Sequence, residues 1–247
     1  MHHAASSLVT LLGALFPLVT AHGAVTSYVI DSVTYPGYEG YSPQYGPDTI
    51  EREWTSYNPI MTPETPDITC NGGTSADLTA QISPGSTVTA KWKQWTHRQG
   101  PVTVWMYACP TSTIEACTGQ EGANWFKIDE MGLTVEPSLL SSDNWGTSIV
   151  VDELEWTSTI PEGLKSGLYL LRHELLALHQ ANTPQFYPEC AQVEVVDGGG
   201  SFPTGEYLTA IPGAGYALAD DPSVDVNVYA SSEPTTFKVH GPPVWNP

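Results

Sequence analysis

Residues 167–179 read Gly167-Leu168-Tyr169-Leu170-Leu171-Arg172-His173-Glu174-Leu175-Leu176-Ala177-Leu178-His179, and whether this stretch is helix or strand decides the fold. A helical reading invites comparison with the zinc-protease motif, which needs two histidines four apart on one helical face. His173 and His179 are six apart, so that motif fails. On a strand an even separation puts both imidazoles on the same side, so only an extended chain can aim them together. The next segment, Gln185-Phe186-Tyr187-Pro188-Glu189-Cys190, continues the pattern: alternation sets Gln185 and Tyr187 on one side and Phe186 on the other.

Outward from this pair, alternation predicts further strands at 24–33, 78–82, 87–92, 102–108, 149–156 and 190–196. Turn signals such as Ser83-Pro84-Gly85, Ile160-Pro161-Glu162-Gly163 and Gly198-Gly199-Gly200 separate them. With 22 Gly and 21 Pro, the chain has a composition of short strands and many turns, which predicts an all-β sandwich. The irregular stretch 35–66 is expected to be a surface loop region with a task of its own. No internal repeat and no Ser/Thr/Pro-rich linker to an appended binding module is visible, so residues 22–247 are expected to form a single domain.

Eight Lys and Arg against 27 Asp and Glu give a net charge of −19. Such a field repels phosphate and disfavours nucleic acid and anionic membranes as partners, leaving neutral ligands and cations. Leu8 to Val19 is an apolar run followed by Val19-Thr20-Ala21, which predicts a secretion signal over residues 1–21, cleavage before His22, and an extracellular protein. No later stretch is apolar for long enough to span a bilayer. The four cysteines then favour two disulfides. Cys109 and Cys117 flank a short Thr/Ser-rich loop and make the easiest closure, leaving Cys70 to pair with Cys190.

A cleaved His22 would offer a terminal amine and a ring nitrogen from one residue. An α-amine titrates near pH 7.7 to 8.0, far below lysine, so a metal displaces its proton at modest cost. A second imidazole, His97, lies in Trp95-Thr96-His97-Arg98-Gln99-Gly100-Pro101-Val102, where Gly and Pro stiffen the chain just before a strand. An all-nitrogen set suits copper(II) in geometry and affinity. Each residue alone has a plainer reading: His22 as the chance neighbour of the signal, His173 or His179 as a structural histidine, and Tyr187 as a core aromatic.

Taken as an ordered set, His22, Thr96-His97 before Gly100-Pro101-Val102, Trp125-Phe126-Lys127-Ile128-Asp129, Leu171 through His179, Gln185 through Cys190, Asp221-Pro222 and Gly241-Pro242-Pro243-Val244 resemble the fungal lytic polysaccharide monooxygenases of auxiliary activity family 9, formerly glycoside hydrolase family 61. The resemblance implies an immunoglobulin-like antiparallel β-sandwich with long surface loops and short helical pieces. It implies one copper ion held in a histidine brace by His22 and His97, with Tyr187 near the axial position. His179 and Gln185 match the pair that hydrogen-bonds the oxygen co-substrate, and His173 matches a structural histidine. The implied reaction is oxidative cleavage of an insoluble or soluble β-1,4-glucan at C1 or C4. It would draw on an external electron donor and on hydrogen peroxide or dioxygen, and the protein is expected to act as a monomer. Tyr35, Tyr38, Tyr41, Tyr45 and Tyr229 are candidates for a flat sugar-stacking face, with Tyr229 at a matching substrate-contact position.

One departure concerns a ligand. Arg98 and Gln99 separate His97 from Gly100 where many relatives have one residue, so Arg98 sets a positive charge near the metal and is a candidate substrate contact. The competing functions are a non-catalytic copper- or polysaccharide-binding protein on the same scaffold, and a hydrolase using paired carboxylates, for which no particular pair stands out.

Overall fold

Two sheets face each other in the computed structural model, which describes residues 22–39, 48–54, 56–134, 143–230 and 237–247. The first has the order β2 (Val33–Pro36), β1 (Val25–Ile30), β4 (Thr87–Trp92) and β7 (Glu155–Thr159). The second has the order β3 (Ala80–Ile82), β9 (Gln185–Val195), β8 (Gly167–Ala177), β5 (Val102–Ala108) and β6 (Trp125–Met131). Neighbouring strands pair antiparallel except β3 and β9, which run parallel. The expected antiparallel sandwich is therefore present with one parallel edge.

Strands β8 and β9, eleven residues each, are nearly continuously apolar for a physical reason. Their sheet is covered on both faces. On one side Tyr169, Leu171, Leu175, Ala177, Tyr187 and Val193 meet Tyr28, Val88, Trp92 and Trp156 of the first sheet. On the other, Leu170, Leu176, Phe186 and Cys190 pack against Tyr216, Val224 and Val228 from the C-terminal region. Disulfides join Cys70 to Cys190 and Cys109 to Cys117, with Cα separations of 5.3 and 5.5 Å, as the cysteine spacing suggested.

Two sequence expectations are corrected. The strand expected over 24–33 is a hairpin, because Asp31 (φ 45°) and Ser32 (φ 72°) form a turn with two positive φ angles that reverses the chain. The strand expected over 149–156 is mostly helix: α1 spans Gly146–Glu153, Leu154 closes it in the left-handed conformation, and β7 begins at Glu155. The β-branched run Ile149-Val150-Val151 favours strand locally, but burial of Val150 in the sandwich core overrides that weak preference. Among the described residues no helix is long and apolar enough to cross a membrane.

Candidate metal centre

The centre is assembled where β8 runs out. Beyond Ala177 the backbone stays extended because the Leu178 amide donates to the Gln99 carbonyl (2.9 Å), as the Leu176 amide does to the Pro101 carbonyl (3.1 Å). These bonds lay the segment 97–101 along the end of β8. Gly100 is obligatory there: its φ is 148°, and a Cβ would sit 1.7 Å from the Leu176 carbonyl oxygen. The result is a parallel stack of the His97 and His179 rings, centroids 3.8 Å apart and tilted by 9°.

Strand β9 delivers the third ring. Tyr187 lies 6.4 Å from His97 and 6.3 Å from His22, centroid to centroid. His22 directly precedes the first strand, and its carbonyl accepts a bond from the Gln94 side-chain amide. Trp95 meets the edges of His97 and Tyr187 at 5.2 and 4.8 Å, and its indole N–H donates to the His97 carbonyl (2.8 Å). Tyr187 and Gln185 share a side as the alternation required, for the phenol donates to Gln185 Oε1 at 3.0 Å.

Burial favours the neutral form of two of these groups. Burial lowers the His179 pKa, and the nearby His22 lowers it further. Burial raises the Tyr187 phenol well above its ordinary value, so it stays protonated. Among the described residues no group of three or more His, Cys, Asp or Glu is placed to hold a metal ion. All four cysteines are spent in disulfides, so no thiolate is on offer. The donors that converge are imidazole nitrogens with a neutral phenol beside them, and a main-chain amine at His22 would complete a nitrogen set. That chemistry fits copper better than calcium, magnesium or a thiolate-bound metal.

The remaining candidates divide. Tyr229 is 50% exposed, and its phenol donates to the His179 carbonyl at 3.0 Å, so an open aromatic ring adjoins the centre. Tyr38 is not part of an open face, because its ring is buried with Ala24 and Trp54, and Tyr35 packs against the main core. Tyr41 and Tyr45 lie outside the described residues. Arg98 does not offer a free cation: Asp143 Oδ1 accepts from it at 3.0 Å, and both Asp152 carboxylate oxygens accept as well. His173 is apart from the centre, buried between Tyr28 (5.5 Å) and Trp92 (6.4 Å). Sequence reasoning missed Trp95 as a wall of the centre, although its place two residues before His97 could have suggested it. It also missed Asp143 and Asp152, for which no local signal exists.

Comparison with known proteins supplies the family. A profile of Auxiliary Activity family 9 (formerly GH61) matches residues 22–237. The AA9 family lytic polysaccharide monooxygenase D of Thermothelomyces thermophilus is 46% identical over 251 residues, covering 99% of this chain and 95% of that protein. Monooxygenase B of Heterobasidion irregulare is 43% identical over 246 residues, covering 96% and 98%. The crystal structure of a cellulose-active polysaccharide monooxygenase from M. thermophila superposes with a TM-score of 0.86 at 48% identity, covering 91% of this chain and 99% of that one. The chain belongs to auxiliary activity family 9, the copper-dependent lytic polysaccharide monooxygenases, which are oxidoreductases that cleave polysaccharides by oxidation.

Proposed function

We propose that residues 22–247 act as one secreted catalytic unit that cleaves β-1,4-glucan chains such as cellulose, with His22 and His97 as the copper ligands. Removal of residues 1–21 would free the His22 amine, so that two imidazoles and one amine would hold the copper, with the Tyr187 phenol beside them. When bound, copper supplies the redox chemistry, drawing an electron from an external reductant and using hydrogen peroxide or dioxygen to break a C1–H or C4–H bond of the sugar. The observation that carries this reading is the convergence of the stacked His97 and His179 rings with Tyr187 and His22 at the end of one sheet.

The chain's own residues have separable tasks. The neutral His179 ring can take a proton from a co-substrate oxygen next to it and then return it, or donate a hydrogen bond to that oxygen. Gln185 Oε1 accepts a hydrogen bond from the Tyr187 hydroxyl, which holds the phenol in one orientation and leaves its oxygen lone pairs turned elsewhere. The exposed Tyr229 ring gives a sugar a stacking surface anchored to the backbone of His179. The two disulfides suit an extracellular enzyme. The cellulose-active neighbour supports cellulose as the substrate class.

Calorimetric titration with copper tests the ligand set. His97→Ala, or one extra residue ahead of His22, should abolish tight binding, and unchanged affinity in both would refute it. Copper-loaded protein given cellulose, a reductant and peroxide should release aldonic-acid or C4-oxidised oligosaccharides. Their absence, with copper still bound, would favour the non-catalytic binding protein.

A further inference from the structure

We infer that Arg98 is a positioning residue for His97, acting through helix α1, and this rests on His97 being a copper ligand as proposed above. The guanidinium spans two acids that flank α1: Asp143 ahead of it, and Asp152 in its last turn, which accepts on both oxygens. The same helix grips the backbone around Arg98. Thr147 Oγ1 donates to the carbonyls of Arg98 (2.8 Å) and Gly100 (2.9 Å), and the Thr147 amide donates to Gly100 as well (3.1 Å). On its other side the segment is bonded to the end of β8 through Gln99 and Pro101. The peptide carrying His97 is thus zipped between a helix and a strand, and Arg98 is its side-chain fastener.

Charge explains why a cation stands at this position. Asp152 and Glu153 sit at the C-terminal end of α1, where the helix dipole already places partial negative charge, and no basic residue occupies that last turn. Arg98 supplies the missing positive charge from outside the helix. A single exposed ion pair would contribute little. Here the acids are exposed, 78% and 59%, so the contact serves orientation more than stability: it is bidentate, shared by two acids and made by a half-buried side chain, a geometry that guanidinium holds and ammonium does not. The partner of a metal ligand's own neighbour is where looseness would be transmitted to the ring that binds the ion.

The test uses the mature enzyme with four variants: Arg98→Ala, Asp152→Ala, the double variant, and Arg98→Lys. Arg98→Ala should weaken copper binding about tenfold, shift the copper(II) EPR parameters, and speed amide hydrogen exchange at Leu178 and Thr147 in the metal-free protein. Asp152→Ala should reproduce these changes, the double variant should add nothing, and Arg98→Lys should fall between. Unchanged affinity and exchange in Arg98→Ala would overturn the inference. So would a rise in KM alone, since that would mark a glucan contact. His97→Ala run in parallel separates the two readings. If it leaves affinity intact the ligand assignment fails, and if it abolishes binding while Arg98→Ala does nothing, only the positioning role fails.

Discussion

On one face of β8, Glu174 receives bonds from His240 (2.7 Å), Thr103 (3.3 Å), Arg172 and Tyr216, while Arg172 also donates to the Ile68 and Thr69 carbonyls at 2.9 and 2.8 Å. On the other face His173 is equally buried, yet among the described residues neither ring nitrogen has a hydrogen-bond partner, and past the strand's end His179 Nδ1 has none either. Burial pushes the Glu174 carboxyl up, but the Arg172 charge with the His240 and Tyr216 bonds holds it well below the usual range. Burial pushes His173 down to about 3, with nothing to oppose it. A charge-compensated network, in which only Arg172 Nη1 and His240 Nδ1 lack a partner among the described residues, makes the first face a structural fastening. The second face keeps the buried His173 imidazole neutral, and the same lack of a charged partner extends past the strand's end to His179.

Opening that network should have the largest effect. Arg172→Ala leaves a buried, uncompensated carboxylate and should cost about 3 to 5 kcal/mol of unfolding free energy in urea titrations. Copper affinity of the folded fraction should stay within a few-fold, and a large loss of affinity would show that the two faces are coupled.

The lonely imidazole gives the next effect, as a dependence on pH. His173 takes up a proton near pH 6.5 when unfolded but not until about 3 when folded, so its contribution is present above pH 6.5 and fades as pH falls. His173→Gln removes that linkage. Its stability relative to the parent should improve by about 3 kcal/mol between pH 6.5 and 4, and a flat difference would mean that the ring is partnered.

Smaller effects belong to the open end. His179→Ala should slow turnover about a hundredfold while leaving copper affinity and the denaturation midpoint nearly unchanged. Retention of the parent rate would remove it from proton handling. Tyr229→Ala should weaken adsorption to cellulose by about 1 kcal/mol, whereas Tyr229→Phe should adsorb as the parent does. Equal losses in both would point to the hydroxyl rather than the ring.

Strands β3, β5 and β8 of the second sheet can be read from sequence, β5 at its observed bounds Val102–Ala108, but β6 carries no expectation and β9 extends to Gln185, before the expected start at 190. Helix α1 cannot be read so, since its β-branched residues follow tertiary packing rather than local preference. The pairing of Gln185 with Tyr187 followed from strand alternation alone. His97 and His179 lie far apart in sequence, and their stacking depends on a backbone zipper that no periodicity reveals. The partners of Arg98 were equally hidden, because two scattered acids become neighbours only once the helix is in place.

The buried network also sets an order of events in biogenesis. His240 gives Glu174 its ring nitrogen and Lys127 its carbonyl at 2.7 Å, and the Trp245 amide binds the Lys127 carbonyl at 2.8 Å. A nascent chain lacking residues 237–247 therefore keeps the Lys127–Glu130 and Arg172–Glu174 pairs but leaves Lys127 short of a carbonyl acceptor and Glu174 short of one donor in its interior. That incomplete interior must stay sheltered until residues 237–247 are made, so their removal should be caught by cellular quality control rather than merely trim an ornament.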